Sequence, residues 1–167
     1  MAVRPILQWP DRRLKTPVPP LAAVTDETRT TWNDMADTMY AMPGVGLAAV
    51  QIGVMQRLAV VDASDSRDGL VRMANPEILH ASVKLRAHEE ASPCLPGVSA
   101  RLERPRAVTV RFLNAAGEHE ERDFTGLWAT SVQHQIDHLD GKLYIDRLKP
   151  VKRRMLLARA DKLRRRG

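Results

Sequence analysis

The sequence predicts an α+β fold, on three observations. A helical period of apolar residues runs through residues 26–41, β-like segments fill the middle of the chain, and the helical period returns around Gly126–Leu139 and over 151–164. Helices and strands are thus segregated along the chain, rather than alternating as parallel βαβ units would require.

The opening stretch "QWPDRRLKTPVPPLAAV" holds four prolines and reads as extended and loop-like. Thr25 is placed as an N-cap, with Asp26 and Glu27 favourably set in a first helical turn. Trp32, Met35 and Met39 follow at helical spacing, so 26–41 is predicted to be amphipathic, ending at Pro43, Gly44 and Gly46 in "MPGVGLAA". "RLAVVDA" (57–63) and "VRMANPEIL" (71–79) read as strands around the polar turn "SDSRDG". "SVKLRAHE" (82–89) alternates Val83, Leu85 and Ala87 with polar residues, the pattern of a half-buried strand. "AVTVRFLN" (107–114) and "EERDFTG" flank "AAGEH" as a hairpin. Around Gly126–Leu139 the period turns helical, with Gly141 as the residue just past the C-cap. A last helix covers 151–164, with Val151, Met155, Leu156, Ala160 and Leu163 on its apolar side.

At 167 residues, 44% hydrophobic and 28% charged, the composition suits one compact domain over 1–167. No apolar run reaches the roughly 20 residues that span a bilayer. The N-terminal stretch lacks the apolar core of a signal peptide, so the expected location is the cytoplasm. Cys94 is the single cysteine, which excludes an internal disulfide framework. The net charge is +6, and from Arg147 onward ten Lys or Arg stand against Asp161 alone. Such a tail is either a solvated helix face or a contact for a polyanion. Aromatic residues at 4% and the lack of a recognisable module argue against sequence-specific nucleic-acid recognition.

Three short stretches carry chemistry. His134 and His138 in "HQIDH" share one helix face, about 5–6 Å apart at Cβ, and can offer two imidazoles to one ion or simply pack. Cys94 in "EEASPCLPGV" is a buried small hydrophobe or a third ligand; a thiolate with two imidazoles leaves a fourth position open, as in a catalytic tetrahedral site. In "GVGLAAVQIG" (44–53), Gln51 is either an exposed amide or a neutral donor to a carbonyl or oxyanion.

"GVGLAAVQIG", "CLPGV" and "QHQIDHLDGKLY" occur in the order and spacing of the three motifs of peptide deformylases, and the resemblance extends from "PDRRL" to "KLYIDRLKPVKRR". The resemblance implies antiparallel β-sheets packed around a central metal-ligand helix, with an N-terminal helix and a basic C-terminal helix. It implies metal-dependent hydrolysis of the N-formyl group from N-formylmethionyl nascent peptides, with ferrous iron as the usual ion and Zn²⁺, Ni²⁺ or Co²⁺ as substitutes. Carried onto this chain, it makes Cys94, His134 and His138 the metal ligands, and Gln51 with the Leu95 N–H the donors to the formyl oxygen. Gly44 and Gly46 would shape the substrate cleft, Arg101 would meet the substrate backbone, and Val45, Ile136 and Leu95 would border the methionine side chain. Arg106 would pair with Asp137 to orient the ligand helix. The basic C-terminal helix is then a candidate ribosome contact, with no membrane partner.

The chain departs from the family pattern at two places. The usual E-G-C-L-S is replaced around Ser92-Pro93-Cys94-Leu95-Pro96, and the usual H-E-x-x-H has Gln135 where the general acid/base Glu stands. An amide can hydrogen-bond a water but cannot carry its proton. Loss of such a group costs about 10²–10⁴-fold in rate. A catalytically impaired deformylase-like protein is therefore the alternative to a working enzyme, and the several departures together favour natural divergence over a single engineered change.

Overall fold

The computed structural model describes residues 2–167. After a 3₁₀ turn at Arg12–Lys15, the elements in order are helix α1 (Asp26–Ala41), strands β1 (Gly46–Ala48), β2 (Leu58–Val61), β3 (Val71–Ala81), β4 (Leu85–Glu90), β5 (Ala100–Pro105), β6 (Ala107–Leu113) and β7 (His119–Thr125), then helices α2 (Gly126–Leu139) and α3 (Pro150–Arg166). Further 3₁₀ turns lie at Ala49–Ile52 and Tyr144–Arg147. The strands form an antiparallel five-stranded sheet in the order β1-β2-β3-β6-β7 and a separate β4-β5 ribbon. The α+β expectation holds.

Strand β2 shows why the core forms where it does. Successive residues of a strand point to opposite faces, and both faces of β2 are buried. Leu58 and Val60 pack with Trp32, Met35 and Met39 of α1. Ala59 and Val61 pack with Ala129, Val132, Ile136 and Leu139 of α2. The sheet is therefore sandwiched at this point between the two helices. The 11 residues from Ala129 to Leu139 are all buried, so α2 runs through the middle of the molecule.

The expected ends of the helices are observed. Thr25 Oγ1 accepts the Thr28 N–H at 3.3 Å at the start of α1. Gly141 follows α2 with φ +77°, and a Cβ there would fall 2.7 Å from the Lys15 carbonyl, so glycine is required both by conformation and by the chain lying against it.

Two expectations need correction, and one strand goes beyond them. The strand at 82–89 begins at Leu85, and its apolar residues point outward: Val83 is 97% and Leu85 53% exposed. Its inward position at the end of the strand is Glu90, 4% exposed, which faces a buried arginine rather than apolar side chains. Strand β5 was not anticipated; Ala100, Leu102 and Arg104 alternate inward, and the arginine breaks the apolar pattern. On α3, Ala160 is buried and Leu156 and Leu157 pack beside Leu95, Val98 and Tyr144, whereas Val151 and Met155 are 61% and 67% exposed. No helix of the described residues is long and apolar enough to cross a membrane.

Candidate active site

Helix α2 presents His134, Gln135 and His138 from the buried interior, because the 3.6-residue turn places positions 134 and 138 one above the other. Their rings lie 5.0 Å apart. His134 Nδ1 is 2.8 Å from Glu90 Oε1. With that carboxylate ionised, Nδ1 is the donor, and in the neutral ring Nε2 keeps its lone pair for a ligand. His138 is 1% exposed, and neither ring nitrogen has a hydrogen-bond partner. Burial first, and then the neighbouring His134, hold it well below the usual histidine pKa, so its ring is neutral.

Glu90 is the hinge of a buried ionic network. Arg104 donates from Nε and Nη2 to its two carboxylate oxygens at 2.6 and 3.0 Å, and from Nη1 to Asp137 Oδ2 at 2.9 Å. Arg147 adds two bonds to Asp137, each 2.7 Å. Burial raises the pKa of Glu90, but the hydrogen bonds from His134 and Arg104 outweigh it and leave the carboxyl below its ordinary value. Asp137 follows the same balance, with Arg147 and Arg104 opposing its burial. The expected Arg106–Asp137 pair is not formed. Arg106 lies just past the end of β5 and is exposed, and Arg104 and Arg147 take its place.

A cleft of ≈ 230 Å³ opens above α2. Gly44, Val45, Gly46, Gln51, Glu90, Ala91, Pro93, Leu127, Ser131, His134 and Gln135 are among the residues that line it. Gly46 is needed there for space, since a Cβ would come within 2.5 Å of Gln135 Nε2. Gln51 Oε1 accepts the Ala48 N–H at 2.9 Å, which fixes the orientation of the amide, and its NH₂ donates to Cys94 Sγ at 3.5 Å. Gln135 is 5% exposed and its Oε1 has no partner.

Other expected residues lie elsewhere. Ile136 is buried in the core with the sheet and does not line the cleft. Arg101 is exposed on β5, opposite Glu89. The Leu95 N–H donates to Ser92 O at 2.9 Å, closing a turn, so it is not directed at a ligand. Cys94 and Leu95 border a second cavity, lined by Trp9, Ala160 and Leu163, on the side of α3. Burial raises the Cys94 pKa against hydrogen bonds from Gln51 and Ser92, which favours the thiol.

Among the described residues, no group of three or more His, Cys, Asp or Glu side chains is placed to hold an ion. The partnerless His138 nitrogens suit a ligand, but the thiolate-plus-two-imidazole set does not assemble.

An α+β frame with an H-x-x-x-H helix as the floor of a small cleft is the arrangement that this chain shares with a known hydrolase family. The match is specific: the family model for polypeptide deformylase covers residues 3–154, and the chain belongs to that family, whose members are metal-dependent. It is 41% identical to peptide deformylase 1 of Burkholderia multivorans over 165 residues, covering 99% of this chain and 91% of that one. The crystal structure of a peptide deformylase from Legionella pneumophila superposes with TM-score 0.91 at 40% identity, over 98% of this chain and 96% of that one. A peptide deformylase from Ehrlichia chaffeensis in complex with actinonin gives TM-score 0.91 at 30% identity, over 97% and 98%.

Proposed function

We propose that this chain, acting as one domain over 1–167, binds N-formylmethionyl peptide ends in the cleft above α2 and hydrolyses them slowly at most. Family membership supports the ligand class. The observation that carries the reading is Gln135, set between the two histidines, lining the cleft with a partnerless Oε1. In the family that position supplies a carboxylate that takes and returns a proton. Here the amide can hold a water or a formamide N–H but transfers no proton.

The remaining parts are those of a binding site. Gln51, fixed by Ala48, offers its NH₂ to the formyl oxygen. Gly44, Val45 and Gly46 form one wall where the chain enters β1, and Leu127 contributes apolar surface for a methionine side chain. The chemistry that a divalent ion would supply in a deformylase, with ferrous iron first among the candidates and Zn²⁺, Ni²⁺ or Co²⁺ as substitutes, is that of a Lewis acid. The binding reading needs no such ion. Calorimetry with a formyl-Met tripeptide and the same tripeptide without the formyl group tests it. The formylated peptide should bind more tightly, and equal affinities overturn the reading.

The exposed Lys152, Arg154, Arg159 and Lys162 of α3 make a basic surface suited to ribosomal RNA, where formylated chains emerge. Because α3 also packs on Leu95 and Tyr144, charge reversal is a better test than truncation. Salt-sensitive co-sedimentation with ribosomes should be lost when these four residues are changed to Glu; unaltered co-sedimentation removes this contact from the account.

A further inference from the structure

The acidic residue that grips the helix histidine identifies the register of the whole loop that follows. Glu90 ends β4 with both carboxylate oxygens committed, one of them to His134. In extended backbone, residues i and i+2 point to the same face. The residue that shares the face of Glu90 is therefore Ser92, which is 4% exposed. Immediately after it the chain turns: Ser92 Oγ accepts the Cys94 N–H at 3.3 Å, and Ser92 O accepts the Leu95 N–H at 2.9 Å. The turn carries Cys94 round to the cavity shared with Trp9, Ala160 and Leu163. Pro93 and Ala91 stay on the cleft side. The spacing E-x-C of the family's second motif, counted from the glutamate that holds His134, also ends on Ser92.

We infer that Ser92, not Cys94, stands at the third-donor position of the His134–His138 site. The position that should supply a thiolate holds a neutral hydroxyl, and the chain's one thiol accepts from Gln51, borders the cavity beside α3 and forms no three-donor group with the histidine pair. Two imidazoles and a hydroxyl form a much weaker and harder donor set than two imidazoles and a thiolate. The failure of three donors to assemble follows from this shift of register, which places the thiol two residues too late. The inference rests on the family reading for the identity of the position, and on Glu90, Ser92 and the turn for its assignment.

Titration of the full-length wild-type, C94S and S92C proteins with Co²⁺ tests it, because a thiolate ligand gives Co²⁺ a charge-transfer absorption. Wild-type and C94S proteins should behave alike, with no such absorption. S92C should gain it and bind Co²⁺ more tightly, by more than the about 10–100-fold that changes to a ligand's supporting partner produce. Thiolate absorption in the wild type that vanishes in C94S overturns the inference even if S92C does not fold. Folded S92C without thiolate absorption overturns the assignment of Ser92. Formyl-peptide calorimetry on the same wild-type and C94S samples separates the two proposals: loss of peptide selectivity with the expected Co²⁺ behaviour removes the binding reading and leaves the position of Ser92 standing.

Discussion

Glu90 Oε1 and His134 Nδ1 lie 2.8 Å apart in the buried centre of the protein, and this contact ties the β4–β5 ribbon to helix α2. It sets the tautomer of His134, and it fixes which residue of the following loop can approach the histidine pair. Arg104 holds the other side of Glu90 and reaches Asp137 as well, so one guanidinium orients both ends of the helix face.

Removing Arg104 should therefore be costly. Arg104 is 2% exposed, and Arg104→Ala leaves Glu90 without its main partner inside the protein. The expected loss is about 3–5 kcal/mol. Arg106→Ala, on the exposed face, should change stability by no more than about 0.5 kcal/mol. Urea unfolding of both variants checks this, and equal destabilisation would contradict the assignment of Arg104 as the buried partner.

Gly46 and Gln135 should be energetically coupled. A Cβ at Gly46 meets the Gln135 amide and the Ser131 hydroxyl, so Gly46→Ala must push the Gln135 side chain into the cleft. In a double-mutant cycle with Gln135→Ala, the coupling should fall in the range of about 0.5–3 kcal/mol, with the second change relieving the first. Additive melting shifts would show that the two side chains do not meet.

The Tyr40–Asp62 pair predicts a pH response away from the cleft. Tyr40 O–H donates to Asp62 Oδ2 at 2.6 Å. Burial, then the hydrogen bond to Asp62 and its charge, raise the Tyr40 pKa from 10.0 to about 12. The stability that this confers is complete below pH 10.0 and is lost as pH rises through about 12. Asp62 is depressed below 3.8, because hydrogen bonds from Ser64, Tyr40 and Gly69 outweigh its burial, so its contribution is present above 3.8 and lost at lower pH. Tyr40→Phe should flatten the alkaline limb of a stability–pH profile and move the acid limb to higher pH. An unchanged alkaline limb would contradict the contact.

The helices were legible in the sequence because their apolar residues keep a 3.6 period and their ends carry local signals such as Thr25 and Gly141. Strand β5 was not, because Arg104 occupies an inward position where alternation calls for an apolar residue. The face of β4 was misread for the complementary reason: its apolar Leu85 points to solvent and its inward Glu90 serves a guanidinium. The histidine pair and the glycine-rich wall were legible as motifs. The third donor was not, since a run of Ser-Pro-Cys-Leu-Pro does not show which residue follows the glutamate onto the inner face. Only the contact between Glu90 and His134 shows it.

Formate release from a formyl-Met peptide, measured side by side for wild type, Gln135→Glu, Ser92→Cys and the double variant, each supplied with the same divalent ion, tests the account most directly. Wild type and both single variants should stay near a His134→Ala control, and the double variant should rise well above it, because on this reading the chain lacks both the donor and the proton carrier. Turnover by the wild type or by Gln135→Glu alone far above that control would contradict the account.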